Sequence, residues 1–420
     1  MVPRPAEANM KRRYYSALGA LTLALAACRA PVPPAAQWIG TYEMSPVGLP
    51  TASKLEPLAL PHLETVKGTI RYRLRISQGG RRLRLKVANE FSSQPLIIGS
   101  ASVGLAAGVL DAVAGSLRRV TFAGRDAITV AVGGSAESDV VALAVPTGAD
   151  LVVSLYIPQG ILVPPRPTTS KLNPGVAETT DASFAERWPD GNHYGVKPLV
   201  SAIEVLAERP AGVVVALGDS ITDAWVNSET GDRGWPGFLS RRLARARISV
   251  VDAGINSNRI TVSGSYFAPS AVARLDRDVF SVPGITHLVV LEGINDIGMN
   301  GTVGWFGDVP IVKPEALIAG YRTIIARAHK RGIKVIGATI LPFEGALYYD
   351  ANKEEVRTAV NEWIRTAGEF DAVVDLDAAV RDPTHPGRLR AGYDSGDHLH
   401  PNIAGHRAMA DAFDLHLFAK

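Results

Sequence analysis

Val213-Val214-Val215-Ala216-Leu217 runs straight into Gly218-Asp219-Ser220-Ile221-Thr222-Asp223, and the reading of the second half of the chain turns on this junction. A short apolar run ended by glycine reads as a strand buried on both faces. Gly218 permits a sharp turn, which predicts that Ser220 sits where the following helix begins. There its hydroxyl is exposed and backbone N–H groups point at whatever is bound. That is a suitable place for a nucleophile whose attack creates an oxyanion. By itself Ser220 fits a helix N-cap equally well. No Gly-x-Ser-x-Gly elbow occurs in the chain, which argues against the α/β-hydrolase arrangement.

Working outward, short apolar runs recur at Ile248–Val251, Leu288–Leu291, Lys334–Ile340 and Val373–Leu376, with helical stretches such as Leu317–Arg331 and Glu354–Thr366 between them. Strands alternating with helices predict a parallel sheet covered on both faces, with ligands at the carboxyl ends of the strands. Polar motifs fall at those ends. In Val251-Asp252-Ala253-Gly254-Ile255-Asn256-Ser257-Asn258-Arg259, the glycine lets a backbone N–H approach a ligand; a plain strand-end turn is the alternative. In Leu291-Glu292-Gly293-Ile294-Asn295-Asp296, the Asn295 amide can donate to a developing oxyanion or form an Asx turn. Asp397-His398-Leu399-His400-Pro401-Asn402 precedes a final helix expected to start around Pro401. A general base needs an imidazole near the serine and a carboxylate fixing its tautomer. Asp397 and His400 lie one turn apart, and His398 reads as peripheral. A metal site made from Asp397, His398 and His400 is the rival, although no second ligand cluster accompanies it.

Gly218-Asp219-Ser220, Gly254, Gly293-Ile294-Asn295-Asp296 and Asp397-His398-Leu399-His400-Pro401 stand in the order of the conserved blocks of SGNH/GDSL hydrolases. The region from about Val213 to Phe418 resembles that family. Ala271, Arg274, Asp276, Arg277 and Asp278, Thr339-Ile340-Leu341-Pro342-Phe343 and Arg381-Asp382-Pro383 look like its acetylxylan-esterase-like branch. The resemblance implies a flavodoxin-like three-layer α/β/α domain and attack by Ser220 on an ester carbonyl. It implies that His400 acts as base and acid and that Asp397 orients it. The implied oxyanion hole is the backbone N–H of Ser220, the backbone N–H of Gly254 and the side-chain amide of Asn295. No metal and no cofactor is implied. In one place the chain departs from the pattern: the second block usually reads Asn-x-Gly-x-x-Gly, and here Asp252 and Ser257 replace its first and last members.

Before this region the rhythm is strand-like. Thr69–Ile76 and Arg82–Val87 alternate apolar and charged residues and are joined by Gly79-Gly80. Further strands are expected at Leu96–Ile98, Arg119–Phe122, Ala127–Val132, Val140–Val145 and Leu151–Ile157, which predicts a β-sandwich of jelly-roll type. Val87-Ala88-Asn89-Glu90-Phe91 and its neighbours resemble the N-terminal β-domain that often accompanies the acetylxylan-esterase-like branch. Residues 38–200 are therefore expected to be a β-domain with a long Pro- and Thr-rich connection from Leu162 to Pro198, and residues 208–420 the hydrolase domain.

The N-terminus, residues 1–27, reads as a secretory signal: Lys11-Arg12-Arg13 precedes the apolar run Ala17–Ala27, which is too short to span a membrane. Met10 is an alternative start. Leu25-Ala26-Ala27-Cys28 resembles a bacterial lipobox, and residues 28–37 read as a lipidated cysteine and a Pro-rich tether. An exported cell-envelope lipoprotein (outer membrane or periplasm), or otherwise a secreted protein, is the expectation. Cys28 is the one cysteine, so no disulfide forms within a molecule. The 420 residues carry 44 basic and 41 acidic side chains, and no basic stripe with interleaved aromatics suggests nucleic acid. The expected partner is a small-molecule or glycan ester, with membrane contact only through Cys28. Trp225, Trp235, Trp305 and Phe343 are candidate pocket walls. Short acyl groups on a carbohydrate or other polar alcohol are the expected substrates. A lysophospholipase or lipase-type acylhydrolase, an acyl transferase and an inactive glycan-binding surface lipoprotein stay open beside that reading.

Overall fold

Strands that alternate apolar and polar side chains bury one face each and must pair those faces to form a core. The N-terminal half solves this with two antiparallel sheets. A computed structural model describes residues 1, 36–48, 64–90, 92–163, 174–178, 180–189, 192–193, 196–224, 234–263, 268–299 and 312–419. The expected signal, Cys28 and most of the tether lie outside the described residues, as do Trp225 and Trp305. The strands of this half are β1 (Gln37–Glu43), β2 (Glu64–Arg75), β3 (Leu83–Asn89), β4 (Leu96–Ile98), β5 (Ser100–Leu105), β6 (Arg118–Val120), β7 (Ile128–Val130), β8 (Gly134–Glu137), β9 (Asp150–Val163), β10 (Gly175–Ala177), β11 (Asn192–His193) and β12 (Val200–Ala207). One sheet has the order β1-β12-β3-β8, the other β11-β10-β2-β9-β5-β6, and β4 pairs with β7. Leu83, Leu85 and Val87 of β3 and Ile70, Tyr72 and Leu74 of β2 are buried in a shared core, with Tyr72 Oη accepting the Leu199 N–H at 3.3 Å.

Two expectations change here, and the strand pairing becomes defined. β2 and β3 do not pair with each other: β2 pairs with β9 and β10, and β3 with β12 and β8. Gly79-Gly80 therefore carries the chain from one sheet to the other. Val140–Val145 forms no strand, only the isolated bridges of Val141 with Leu83 and Val145 with Gly80. β12 lies beyond residue 200 yet belongs to the sandwich, between β1 and β3.

The second half follows as β13 (Gly212–Gly218), α1 (Gly234–Leu243), β14 (Ile248–Gly254), α2 (Ala271–Leu275), β15 (Ile285–Leu291), α3 (Ile294–Gly298), α4 (Pro314–His329), β16 (Lys334–Ala338), α5 (Ala351–Thr366), β17 (Ala372–Val374), α6 (Leu376–Val380) and α7 (Ile403–Asp411). The sheet is parallel in the order β14-β13-β15-β16-β17, the doubly wound flavodoxin-like arrangement. Every residue of β13 is buried, as a central strand covered on both faces requires. α1 packs on β14 and against α7, while α4 packs against α5 and β16. The final helix starts at Ile403, not Pro401, because the Asn402 side chain caps it by accepting the Gly405 N–H.

Ala35–Lys420 forms one compact unit. The sandwich covers the open edge of β14, where unpaired backbone groups would otherwise face water or another chain. Ser77 Oγ accepts the Val250 N–H at 2.8 Å, and Gln78 Nε2 donates to Ile248 O at 3.2 Å. Gly40 N–H donates to Pro283 O at 3.0 Å.

Candidate active site

The strand β13 ends at a position that tolerates no side chain. A Cβ on Gly218 would collide with Thr222 Oγ1 and lie 2.8 Å from Leu291 O. Beyond it, Asp219 O accepts the N–H groups of Thr222 and Asp223 at 3.1 and 2.9 Å, and Asp219 Oδ1 accepts the Ile221 N–H at 2.9 Å. Residues 219–223 thus form one tight hydrogen-bonded turn. The expected helix does not start at Ser220: the next described helix, α1, begins at Gly234. Ser220 is 8% exposed, and its Oγ lies 2.8 Å from His400 Nε2.

His400 comes from a loop that is held by its own side chains. His400 Nδ1 lies 2.6 Å from Asp397 Oδ2. Asp397 Oδ1 accepts the N–H groups of Leu399 and His400 at 3.0 and 2.8 Å and the Ser395 hydroxyl at 3.0 Å. Asn402 Nδ2 donates to Gly392 O and Asp394 O, both at 3.0 Å. Burial raises the Asp397 carboxyl, but the hydrogen bond and charge of His400 and the two backbone donors outweigh it. The carboxyl is held well below the usual carboxylate range. His398 turns away in a left-handed conformation, φ 62°, with Nδ1 2.6 Å from Asp394 Oδ2 and an exposed ring. Ser220, His400 and Asp397 are brought together in one line, and His398 is not. Among the described residues no three His, Cys, Asp or Glu side chains are grouped to hold a metal ion.

The expected oxyanion donors fare differently. No described residue accepts the Ser220 N–H. Asn295, in the first turn of α3, donates from its amide to Asn258 O at 3.1 Å, and its second amide hydrogen has no acceptor among the described residues. The Gly254 N–H, expected to face the oxyanion, already donates to Asp252 Oδ1 at 2.8 Å. Gly254 also serves close packing: a Cβ there would collide with Asp223 N and lie 2.8 Å from Asp223 Cα. The loop beyond it turns at Ser257 with φ 58°, left-handed at one of the two positions where the family pattern is departed from.

Beneath the strand ends lies a buried charged cluster centred on Arg274. Arg274, fully buried on α2, donates to Gly218 O at 3.0 Å, Ala253 O at 2.6 Å, Asn258 Oδ1 at 2.8 Å and Asp278 Oδ2 at 3.1 Å. It thereby ties the end of β13 to the end of β14. Burial raises Asp219 to about 6, against the opposing Ile221 N–H and the charges of His400 and Arg274. Burial likewise raises Asp296 to about 7, although its carboxylate accepts the Ile260 N–H at 3.0 Å. Glu292, 3.6 Å from Arg274, is raised well above the carboxylate range by burial and by repulsion from Asp219. His406, packed nearby, is lowered to about 3 by burial and by the charge of His400, so it stays neutral. Trp235 stacks on Phe413 with centroids 5.3 Å apart and is fully buried, as is Phe343; both are core residues. An arginine inside the short, otherwise apolar α2 was the signal that could have exposed the Arg274 hub.

Residues 216–408 match the model of the GDSL-like Lipase/Acylhydrolase family. No curated protein matches the chain. Among solved structures, an acetyl xylan esterase of Geobacillus stearothermophilus, Axe2, is 23% identical, with a TM-score of 0.37 over 49% of this chain and 93% of its own. LAE5, an alpha/beta hydrolase enzyme from the metagenome of Lake Arreo, Spain, is 22% identical, with a TM-score of 0.38 over 49% and 94%. Residues 216–408, just under half of the chain, form a GDSL-like lipase/acylhydrolase domain, and the protein is an ester-hydrolysing enzyme.

Proposed function

We propose that the protein is a serine ester hydrolase that removes short acyl groups from a carbohydrate or other polar alcohol. The observation that carries the chemistry is the pair of short contacts in line, Ser220 Oγ to His400 Nε2 at 2.8 Å and His400 Nδ1 to Asp397 Oδ2 at 2.6 Å. With the proton on Nδ1, where Asp397 accepts it, Nε2 is free to take the Ser220 proton as Oγ attacks the ester carbonyl. The Ser220 N–H and the second Asn295 amide hydrogen stabilise the oxyanion. His400 then protonates the leaving alcohol, and water repeats the sequence on the acyl-enzyme to release the acid. The short-acyl, polar-alcohol half of the reading rests on the acetylxylan-esterase-like motifs around Arg274 and Thr339 and on the β-sandwich lying beside the hydrolase sheet. On the lipobox-like end of the signal, we place the mature protein at the cell envelope on a lipidated Cys28. An unmodified N-terminal peptide beginning past Cys28 in mass spectrometry refutes that placement.

The test is turnover of p-nitrophenyl esters from acetate to long chains by the mature protein, beside Ser220→Ala and with EDTA present. Fast release from short chains, lost in Ser220→Ala and unchanged by EDTA, is the expected result. Preference for long chains turns the reading to a lipid acylhydrolase, and no release from any ester turns it to glycan binding.

A further inference from the structure

We infer that Lys197, a residue of the sandwich half, is a positioning residue for the nucleophile turn. Its Nζ lies 2.5 Å from Asp223 Oδ2, and the two side chains are 6% and 1% exposed. Nζ also lies 3.8 Å from Met44 Sδ, so both of these partners are buried. Asp223 is the third residue after Ser220. Its N–H closes the turn on Asp219 O, and its backbone fills the space that Gly254 leaves open. The turn is thus gripped at its far end from two sides, by the end of β14 and by a cation reaching across from the other half of the molecule.

A buried ion pair adds little net stability, because desolvation of both charges offsets most of their attraction. What it does supply is registry, since the carboxylate has one place where its charge is compensated. Displacing a nucleophile by about 1 Å costs on the order of 100-fold in rate. A tether three residues from Ser220 therefore acts on turnover more than on substrate binding. The same pair makes the sandwich a working part of the hydrolase site. The inference rests on Ser220 being the nucleophile.

The experiment uses the full mature chain with Lys197→Met, Lys197→Arg and the double variant Lys197→Met/Asp223→Asn, measuring kcat, KM and melting temperature on p-nitrophenyl acetate. Arg119→Met, which breaks the exposed Arg119–Asp126 pair, is the control. Lys197→Met is expected to lose roughly 10- to 100-fold in kcat with KM within about twofold, and Lys197→Arg to recover most of it. The double variant leaves no uncompensated charge, so it is expected to regain the parent melting temperature without the parent kcat. If Lys197→Met does not fold, the double variant alone carries the test. Parent kcat in a folded Lys197→Met or in the double variant overturns the inference. Turnover that survives Ser220→Ala refutes the nucleophile assignment and this inference with it; a dead Ser220→Ala beside an unimpaired double variant refutes this inference alone.

Discussion

Replacing Asp397 by Asn changes one atom pair, and the structure states which way the new amide must face. Asp397 Oδ1 accepts two backbone N–H groups, from Leu399 and His400 at 3.0 and 2.8 Å. An amide nitrogen placed there would meet two donors, so the Asn oxygen is held at that position and its NH2 takes the place of Oδ2. That NH2 then faces His400 Nδ1, 2.6 Å away in the parent. It can only donate, so Nδ1 gives up its proton and the ring carries it on Nε2, facing Ser220 Oγ. The base becomes a donor where an acceptor is required. By analogy with triads in which this tautomer switch has been made, kcat falls about 10⁴-fold, about 5.5 kcal/mol of barrier. The backbone contacts of the loop survive, so the variant folds, although near neutral pH it lacks the stabilisation that the ionised carboxylate gives the parent. Asp397 is also depressed in the folded state, so its contribution to stability is full above the ordinary carboxylate range and lost as pH falls through its lowered native value. The Asn variant lacks that acid-side loss. The assay is kcat on p-nitrophenyl acetate at pH 7 to 8 beside urea unfolding at pH 3 and pH 7. A loss below tenfold in a folded variant refutes the reasoning, because His400 would then need no carboxylate to select its tautomer.

Asn295→Ala is expected to lower kcat by about 10²–10³, roughly 2.7–4 kcal/mol, with KM little changed; parent kcat removes Asn295 from the oxyanion hole. Gly254→Ala sets a methyl against the backbone of Asp223, which cannot rotate aside, so both melting temperature and kcat are expected to fall; a variant equal to the parent in both shows that the turn yields. Asp296, raised to about 7 by burial, keeps a proton in the folded state that the unfolded chain releases near pH 4. Unfolding free energy therefore falls as pH rises from about 4 to 7, by up to about 1.4 kcal/mol per unit for that proton. Asp219, raised to about 6, adds to the same slope. Asp296→Asn is expected to flatten the slope without abolishing it in urea unfolding at pH 5, 6, 7 and 8; an unchanged slope refutes the burial argument.

What was legible in the sequence was what is local in the structure. The β13 run and the turn after it are decided by residues 213–223 alone, and the Asp397–His400 pair is three residues apart. The Asx turn by which Asp252 takes the Gly254 N–H is also local, and the i, i+2 spacing of an Asp before a strand-end glycine was the available signal. A Gly254 N–H that turns to a substrate has to leave that acceptor. Strand pairing was not legible. β2 and β3 look like a hairpin because each alternates correctly and two glycines join them, yet Leu83 of β3 pairs with Val205, and Arg71 of β2 with Ser154. Alternation sets which face a strand buries and says nothing about which distant strand completes that face. Arg274 and Lys197 escaped for the same reason, since their acceptors come from other elements.

The two halves of the proposed triad are consequently held by different physics. The His400 loop is self-supporting: Asp394, Asp397 and Asn402 satisfy its backbone from within residues 392–405, so its geometry follows wherever that stretch of chain folds. The Ser220 turn is supported mainly from outside. Gly218 O is held by Arg274, the Asp223 side chain by Lys197 and the Asp223 backbone by contact with Gly254. Those supports converge from α2, from the sandwich and from β14, so the nucleophile's place depends on the tertiary structure, whereas the base loop draws its shape from its own residues. A chain that began at residue 208 would keep every motif by which the family is recognised and lose the Lys197 contact on Asp223. Motif completeness and a correctly placed nucleophile are therefore separate properties of this protein.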